Sequence, residues 1–394
     1  MREIFVLSAA RTPIGKFGGA FAALSAADLG TAAAAGALAR AGIDPGEVTE
    51  TIFGHGRQAG GGPNSARQVS HRAGVPDRVP AFTVNQACAS SLKAITLGAV
   101  SIAAGENDVV LAGGHECMSA TPYFLTRARF GYRMGNAEVV DGMTRDGFLC
   151  PLCGELMGET AERLAREYAI GRDEQDRYAL ESQRRAGAAA AQGRFDAEIV
   201  PVDVETRKGK TIVSADEHPR PETTRESLAR LPPVFAADGT VHAGNASGVT
   251  DGAAALVLAS GEHVRRRGLT PLARVAAWTS VGVDPARMGI GPVPAVRRLL
   301  EKTGVKLPDV DLIELNEAFA AQVIACERDL DLDRARTNVN GGAIALGHPI
   351  GATGARIAAT LLHEMKRRGA RYGIATLCVS GGMGMAVLFE SEGR

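Results

Sequence analysis

The amino-acid sequence predicts an α/β protein of two similar halves, the first interrupted by a large insertion. Three observations carry this. Apolar runs of strand length alternate with helix-length segments before residue 119 and again after residue 245. Between Ser119 and Gly244 that alternation fades, and charges and prolines increase. Thr83-Val84-Asn85, ahead of Cys88, is echoed by Asn338-Val339-Asn340, and each precedes an alanine-rich helix and an apolar strand. The chain divides accordingly into 1–118 with 245–270, an inserted region 119–244, and 271–394. Matching loops of two such halves can face one active site. A length of 394 residues also exceeds one compact core.

The elements follow in order. Residues 4–7 form a short apolar strand. Residues 26–41 form an alanine-rich helix stopped by Gly42. Residues 50–53 form a second strand, and the glycine-rich stretch 58–62 leads into a helix that begins around Asn64-Ser65-Ala66-Arg67. A strand at 82–84 runs into Cys88, and a helix spans 90–104. The continuous apolar run 108–112 predicts a buried strand that ends at Gly113-Gly114. One strongly amphipathic helix, 173–192, stands out in the insertion. Strands resume at 252–258, at 312–315 before Asn316, and at 372–377 before Cys378-Val379-Ser380-Gly381-Gly382.

Composition excludes several classes. Lys plus Arg and Asp plus Glu balance at 44 each, which disfavours nucleic-acid and membrane-surface binding. No run of 18 or more apolar residues is present as a membrane span. The N-terminal apolar run is too short for a signal peptide, and the terminal Ser-Glu-Gly-Arg is no organelle address. Six cysteines in so long a chain make no disulfide framework and predict a reducing compartment, the cytoplasm. Cys150-Pro151-Leu152-Cys153 lacks the second pair that a zinc site needs and the context of a redox motif. These are read as loop cysteines, and no metal is expected. Arg127, Arg129 and Arg133 read as a solvated or subunit-contact loop.

Four residues at strand ends carry candidate chemistry. Cys88 precedes a helix, whose unpaired N–H groups and dipole favour a thiolate, and its neighbours are small. That predicts a thiol pKa below the usual ~8.5 and an acyl-accepting nucleophile; a buried packing cysteine is an equal alternative from this stretch alone. His348 lies among glycines, where it can take a proton or donate to an oxyanion; a turn histidine fixed by Pro349 is the alternative. Cys378 repeats the strand-end logic of Cys88, against a buried small hydrophobe. Asn316 can orient a water or cap a helix.

Longer motifs join these residues. Arg11 to Gly19, Asn85 to Ala94, Gly113 to Ser119, Ala243 to Gly248 with Asp251-Gly252-Ala253, Asn316 to Phe319, Asn340 to Gly354 and Cys378 to Gly384 follow one another along the chain. In these the sequence resembles the thiolases over nearly its whole length. The resemblance implies a five-layered α-β-α-β-α fold of two duplicated halves with an inserted loop domain that holds CoA. It implies that Cys88 is acylated, that His348 activates it and serves an oxyanion hole, and that Cys378 exchanges the proton at the α-carbon. It also implies that Asn316 holds a water facing the enolate oxygen. Arg220, Ser227, Ala243 and Ser247 are implied CoA contacts, and Met157, Phe235, Met288, Ala318 and Phe319 acyl-pocket positions. The basic stretch at 127–133 could also attract the acidic CoA. CoA is then substrate or product, with no permanent cofactor. The partners are acetyl-CoA and 3-oxoacyl-CoA, and the chain forms a homodimer or homotetramer. The implied activity is acetyl-CoA C-acetyltransferase. The alternatives are a 3-ketoacyl-CoA thiolase of fatty-acid degradation with longer substrates, a carrier-protein condensing enzyme, and a non-catalytic acyl-CoA-binding protein of the same fold. Two departures stand out: Ser380, where many members have glycine, and Leu156, where biosynthetic members have histidine.

Overall fold

Side-chain alternation along the first strand, β1 (Ile4–Arg11), shows how the molecule is layered. Ile4 and Val6 enter one core, Phe5 and Leu7 another, as a period of two requires. The computed structural model describes residues 2–206 and 209–391; residues 392–394 of the C-terminal tetrapeptide lie outside them. β2 (Glu50–Gly54), β3 (Ala81–Val84), β4 (Val109–Cys117) and β5 (Thr250–Ser260) join β1 in the order β3-β2-β4-β5-β1. β6 (Ala273–Gly282), β7 (Leu312–Leu315), β8 (Tyr372–Val379) and β9 (Met383–Glu390) continue as β6-β9-β8-β7. The two sets meet where β1 pairs β6, at Phe5–Arg274 and Val6–Ala273.

Strand directions repeat as well. β2 is parallel to β3 and β4, and β7 to β8, while the other neighbours are antiparallel. A parallel bridge from Ile313 to Thr337 stands where β3 stands in the first half. The duplication read from 83–85 and 338–340 is therefore a repeated sheet topology.

Three cores separate the layers. The helices Ala26–Ala41 and Ser65–Arg72 cover the outer face of the first strand set. Pro292–Thr303 and Ala320–Leu330 cover the outer face of the second. Ser90–Ala104 and Thr353–Arg368 pack between the two inner faces, in a core that draws on both strand sets. This is the expected α-β-α-β-α order. The stretch 87–104 is apolar enough on average to cross a membrane, although no continuous apolar run exists in it. Its position between the inner faces of the two strand sets explains that composition without a bilayer.

Several sequence expectations need correction. β4 does not end at Gly113-Gly114 but runs through them to Cys117. A Cβ on Gly114 would lie 2.1 Å from the Gly351 carbonyl oxygen and 2.6 Å from Ser91 Cβ; glycine here admits close approach of the second half. Asn338 is not in a strand: its φ is +47°. Its side chain instead accepts from Leu315 N at 2.9 Å and donates to Leu315 O at 2.8 Å, standing in for a strand partner. The short helix Ala343–Leu346 then precedes the long one.

The insertion holds two long helices, Met157–Glu167 and Arg172–Ala191, a short one at Arg225–Ala229, and a hairpin of Val202–Thr206 with Gly209–Val213. The second is the helix expected at 173–192, but its buried face is polar rather than an apolar stripe. Gln175, Asp176, Ser182 and Gln183 are buried beside Tyr178 and alanines. Asp176 accepts from Asn245 Nδ2 at 3.1 Å and pairs with His242 Nε2 at 2.7 Å, and Ser182 donates to Glu317 at 2.7 Å. The Ser182–Glu317 bond ties the insertion to the second half, and the Asp176–Asn245 bond joins it to the returning segment of the first. Arg11 ties it to the first: the buried guanidinium donates to Glu198 at 2.6 Å and to both oxygens of Asp216 at 2.7 and 3.0 Å.

Candidate active site

A cleft of about 900 Å³ opens where loops of both halves meet the insertion, and Cys88, His348 and Cys378 all line it. Cys88 follows β3 on a tight turn. Ala87 adopts φ +45°, uncommon for a residue with a side chain. The turn is clamped around it. Asn85 Oδ1 accepts the Ala87 N–H at 3.0 Å, and Ser90 Oγ donates to Ala87 O at 2.7 Å while accepting from Gln86 N at 2.9 Å. Cys88 is thereby fixed just ahead of the helix Ser90–Ala104.

The thiol of Cys88 is not depressed as its helix-start position predicts. Burial pushes it above the ordinary thiol value, and the Ser380 N–H and the Arg57 charge offset this only in part. Desolvation of the charged form outweighs the helix terminus. Cys88 therefore needs a base.

His348 lines the same cleft and carries a free ring nitrogen. Its Nδ1 lies 2.6 Å from Thr353 Oγ1, and that hydroxyl gives its proton to Pro349 O at 2.9 Å. A hydroxyl has one proton to donate, so Nδ1 carries the hydrogen and Nε2 the free lone pair. Nε2 is buried and has no protein partner. Burial, with the charges of Arg356 and Arg57, lowers the imidazole pKa to about 3, so the ring is neutral at physiological pH.

Cys378, the penultimate residue of β8, is fully buried, and burial together with the nearby Cys88 holds its thiol well above the ordinary value. It is a proton donor in its resting form. Asn316 follows β7, and its N–H donates to Thr376 O at 3.0 Å. Its side chain is buried, and neither Oδ1 nor Nδ2 has a protein partner. It does not itself line the cleft. Ser380 does not take the positive φ that disfavours serine; Gly381 and Gly382 do, at +86° and +82°. The Ser380 N–H remains directed at Cys88.

Glu116 registers the two halves. Its Oε2 accepts from Gly56 N at 3.1 Å and Gly351 N at 2.8 Å, and its Oε1 from Arg57 N at 3.0 Å. One carboxylate thus joins the loop after β2 to the loop that carries His348. Sequence reasoning assigned no role to Glu116, Thr353 or Arg57, although Glu116 and Thr353 sit inside quoted motifs; an unpaired carboxylate in an apolar strand was the available signal.

Leu156, Met157, Phe235, Met288, Ala318 and Phe319 all line the cleft, as does Ser247. Phe235 and Phe319 meet edge to face, with centroids 6.3 Å apart. Arg220 and Ala243 are solvent-exposed, Ser227 is half-buried as a cap on Thr224, and none of the three lines the cleft. Cys150 and Cys153 are not remote loop cysteines. They pack with Cys378, Met157 and Met288. Despite burial, Cys150 is lowered by the N–H groups of Cys153, Leu152 and Gly381, whereas Cys153 is raised by burial and by Cys150.

A buried cysteine thiol, a neutral imidazole with a free Nε2 and a second, protonated thiol, held between duplicated α/β halves, are the groups that acyl transfer through a thioester intermediate requires. The chain belongs to the thiolase family: residues 4–262 match the thiolase N-terminal domain and residues 269–391 the thiolase C-terminal domain. It is 51% identical over 386 residues to an acetyl-CoA acetyltransferase of Shinella zoogloeoides, covering 98% of each chain. The crystal structure of the Bacillus anthracis acetyl-CoA acetyltransferase superposes with a TM-score of 0.97 at 47% identity, covering 99% of both chains. Human mitochondrial 3-ketoacyl-CoA thiolase in complex with CoA superposes with a TM-score of 0.95 at 45% identity, covering 99% of this chain and 98% of that one.

Proposed function

We propose that this protein is an acetyl-CoA C-acetyltransferase, catalysing the reversible Claisen condensation of acetyl-CoA with an acyl-CoA and the thiolysis of 3-oxoacyl-CoA. The convergence of Cys88, His348 and Cys378 on one cleft carries the reading, and the names of its relatives support it. In condensation, His348 Nε2 takes the Cys88 proton as sulfur attacks the acetyl thioester, and returns it to the departing CoA sulfur. Cys378, its own proton given up to solvent, takes the α-proton of the second acetyl-CoA as a thiolate and later passes it to the Cys88 thiolate that the condensation frees. The resulting carbanion attacks acetyl-Cys88 and releases 3-oxoacyl-CoA. In thiolysis the Cys378 thiol protonates the leaving carbanion. Asn316, with its unpartnered amide, faces the developing enolate oxygen through a water, and the Ser380 N–H serves the oxyanion on the Cys88 side.

The insertion 119–244 holds CoA in this reading. Ser247 contacts the pantetheine in the cleft, while Arg220, Ser227 and Ala243 meet the nucleotide end outside it. Arg220 suits phosphate because its planar fork donates in pairs. The enzyme works as a homodimer or homotetramer in the cytoplasm, a setting that suits its free cysteines.

Leu156 favours a second reading, a thiolase with a longer substrate range. It puts apolar surface in a cleft that Met157 and Met288 also line, and each buried methylene adds about 0.8 kcal/mol. Phe148 limits the depth. Activity should extend from acetoacetyl-CoA to 3-oxoacyl-CoAs of about five to eight carbons. The test is thiolysis kcat/KM across a chain-length series, read as consumption of the 3-oxoacyl thioester, with Leu156→His alongside. Strict preference for the four-carbon substrate, unaltered by the substitution, refutes the longer range; no thiolysis at any length refutes the enzyme.

A further inference from the structure

Arg57 is the outlier in the cleft wall. It is 8% exposed and lines the same cleft as Cys88 and His348. Its Nε is buried without a hydrogen-bond partner. Neither Glu116 nor Asp146 makes an ion pair with it, although the Glu116 carboxylate and the Arg57 charge attract each other at longer range. Glu116 spends its oxygens on three backbone N–H groups and lies 3.4 Å from His55 Nε2, and Asp146 pairs with Arg145 at 3.2 Å. Among the described residues, no carboxylate comes within ion-pair distance of the Arg57 guanidinium.

The seat of this guanidinium is built. The ring of Phe148 lies 5.7 Å from its central carbon, in cation–π range. On the same loop, a Cβ added to Gly147 would fall 2.2 Å from Nη2 and 2.3 Å from Nε. Only glycine lets the backbone pack so closely on the planar group. An enclosed cation that is held in place with an anion only at longer range, and none bonded to its donors, is costly. It becomes favourable once a carboxylate accepts its paired donors.

We infer that Arg57 is a specificity residue that recognises a terminal carboxylate on the acyl chain of a 3-oxoacyl-CoA substrate. The inference rests on the thiolase reading above and deepens it by naming a substrate class. The CoA phosphates are a poor match for Arg57, because the whole pantetheine arm separates them from the thioester held at Cys88. The methylenes of a dicarboxylic acyl chain suit the apolar wall at Met157 and Met288, and its charged end suits Arg57. The reaction at Cys88 is unchanged, so the carboxylate acts only through binding.

The experiment compares thiolysis kcat/KM for matched 3-oxoacyl-CoAs of about six carbons, one ending in a methyl group and one in a carboxylate, with acetoacetyl-CoA as reference. The wild-type enzyme should use the carboxylated substrate at least as well as its neutral match. Arg57→Leu should lower the ratio of carboxylated to neutral kcat/KM by about 100-fold, and Arg57→Lys, which keeps charge but loses the fork, by about 10-fold. The ratio cancels any effect of Arg57 on Cys88 itself, since both substrates acylate the same thiol. A wild-type preference of about 100-fold for the neutral substrate, or a ratio unmoved by Arg57→Lys and Arg57→Leu, overturns the inference. If Arg57→Leu does not fold, the wild-type ratio and Arg57→Lys decide. Inactivity on acetoacetyl-CoA and on both matched substrates would instead remove the thiolase reading, and this inference with it.

Discussion

At the scale of single residues, the site is governed by burial more than by the helix terminus. Cys88 sits ahead of a helix, yet its thiol is pushed up, and His348 is pushed down to about 3. The pair is neutral at rest, so in the proposed mechanism the nucleophile forms by proton transfer to Nε2. Alkylation of Cys88 by iodoacetamide in the free enzyme should therefore rise through a midpoint above the ordinary thiol range, with no step near pH 6.5 from His348. A midpoint below the ordinary thiol value would restore a resting thiolate. His348→Gln should slow acetylation of Cys88 by acetyl-CoA by about 10²–10⁴-fold, read by mass mapping of the acetyl group. The same shift has a consequence for stability. Between the ordinary imidazole value of 6.5 and about 3, the unfolded chain binds a proton at His348 that the folded chain refuses. This contribution opposes folding increasingly as pH falls through that window, and His348→Gln should flatten that part of the stability curve. Cys378→Ser should still acetylate at Cys88 but condense poorly, because a hydroxyl is a far weaker acid–base group near neutral pH. Wild-type rates of condensation and thiolysis would make Cys378 a packing residue.

At the scale of elements, the insertion is held by buried polar bonds rather than by an apolar face. Arg11, 0% exposed, grips Asp216 with two donors and Glu198 with a third. Asp216→Ala leaves that cation short of a partner and should cost about 3–5 kcal/mol, measured by denaturant unfolding; a cost under about 1 kcal/mol would show that Glu198 alone suffices. These bonds also explain what the sequence discloses and what it hides. The helix Ser90–Ala104 and the strand Leu312–Leu315 are legible to the residue because their periodicity and flanks agree. The helix Met157–Glu167 went unread because charges at Glu159, Glu162, Arg163, Arg166 and Glu167 mask its buried Leu164 and Ala165. β4 read short because glycines that normally end a strand here admit Gly351. Cys88, His348 and Cys378 were legible because each lies among small residues in a loop or at a strand end, although His348 follows the short helix Ala343–Leu346 and not the expected strand. Arg57 and Glu116 were not, because burial of a charge depends on contacts made across the two halves.

At the scale of the whole molecule, duplication places two loop systems on one cleft, and the insertion reaches beyond it. The segment between the short paired strands Tyr123–Phe124 and Val140–Asp141 projects from the body. Residues 125–139 are exposed throughout, including Phe130 at 88% and Met134 at 96%, with Arg127 and Arg129 just before Phe130 and Arg133 between the two. Large apolar side chains presented together on a monomer surface mark a protein contact. The alternating arginines keep the free chain soluble and give the contact an electrostatic rim. Of the solvated and subunit-contact readings of the basic stretch, the second predicts assembly through this segment. Burying both apolar side chains against another copy contributes roughly 25 cal/mol per Å² of apolar surface removed from water, so replacing both should weaken assembly without touching the cleft. The double variant Phe130→Ser, Met134→Ser should therefore sediment as a smaller species than the wild type at the same concentration, while acetylation of Cys88 per chain is retained. If wild type and variant sediment alike, the projection is not the contact. If acetylation falls together with assembly, the assembly supports the cleft, and the insertion links oligomer formation to activity.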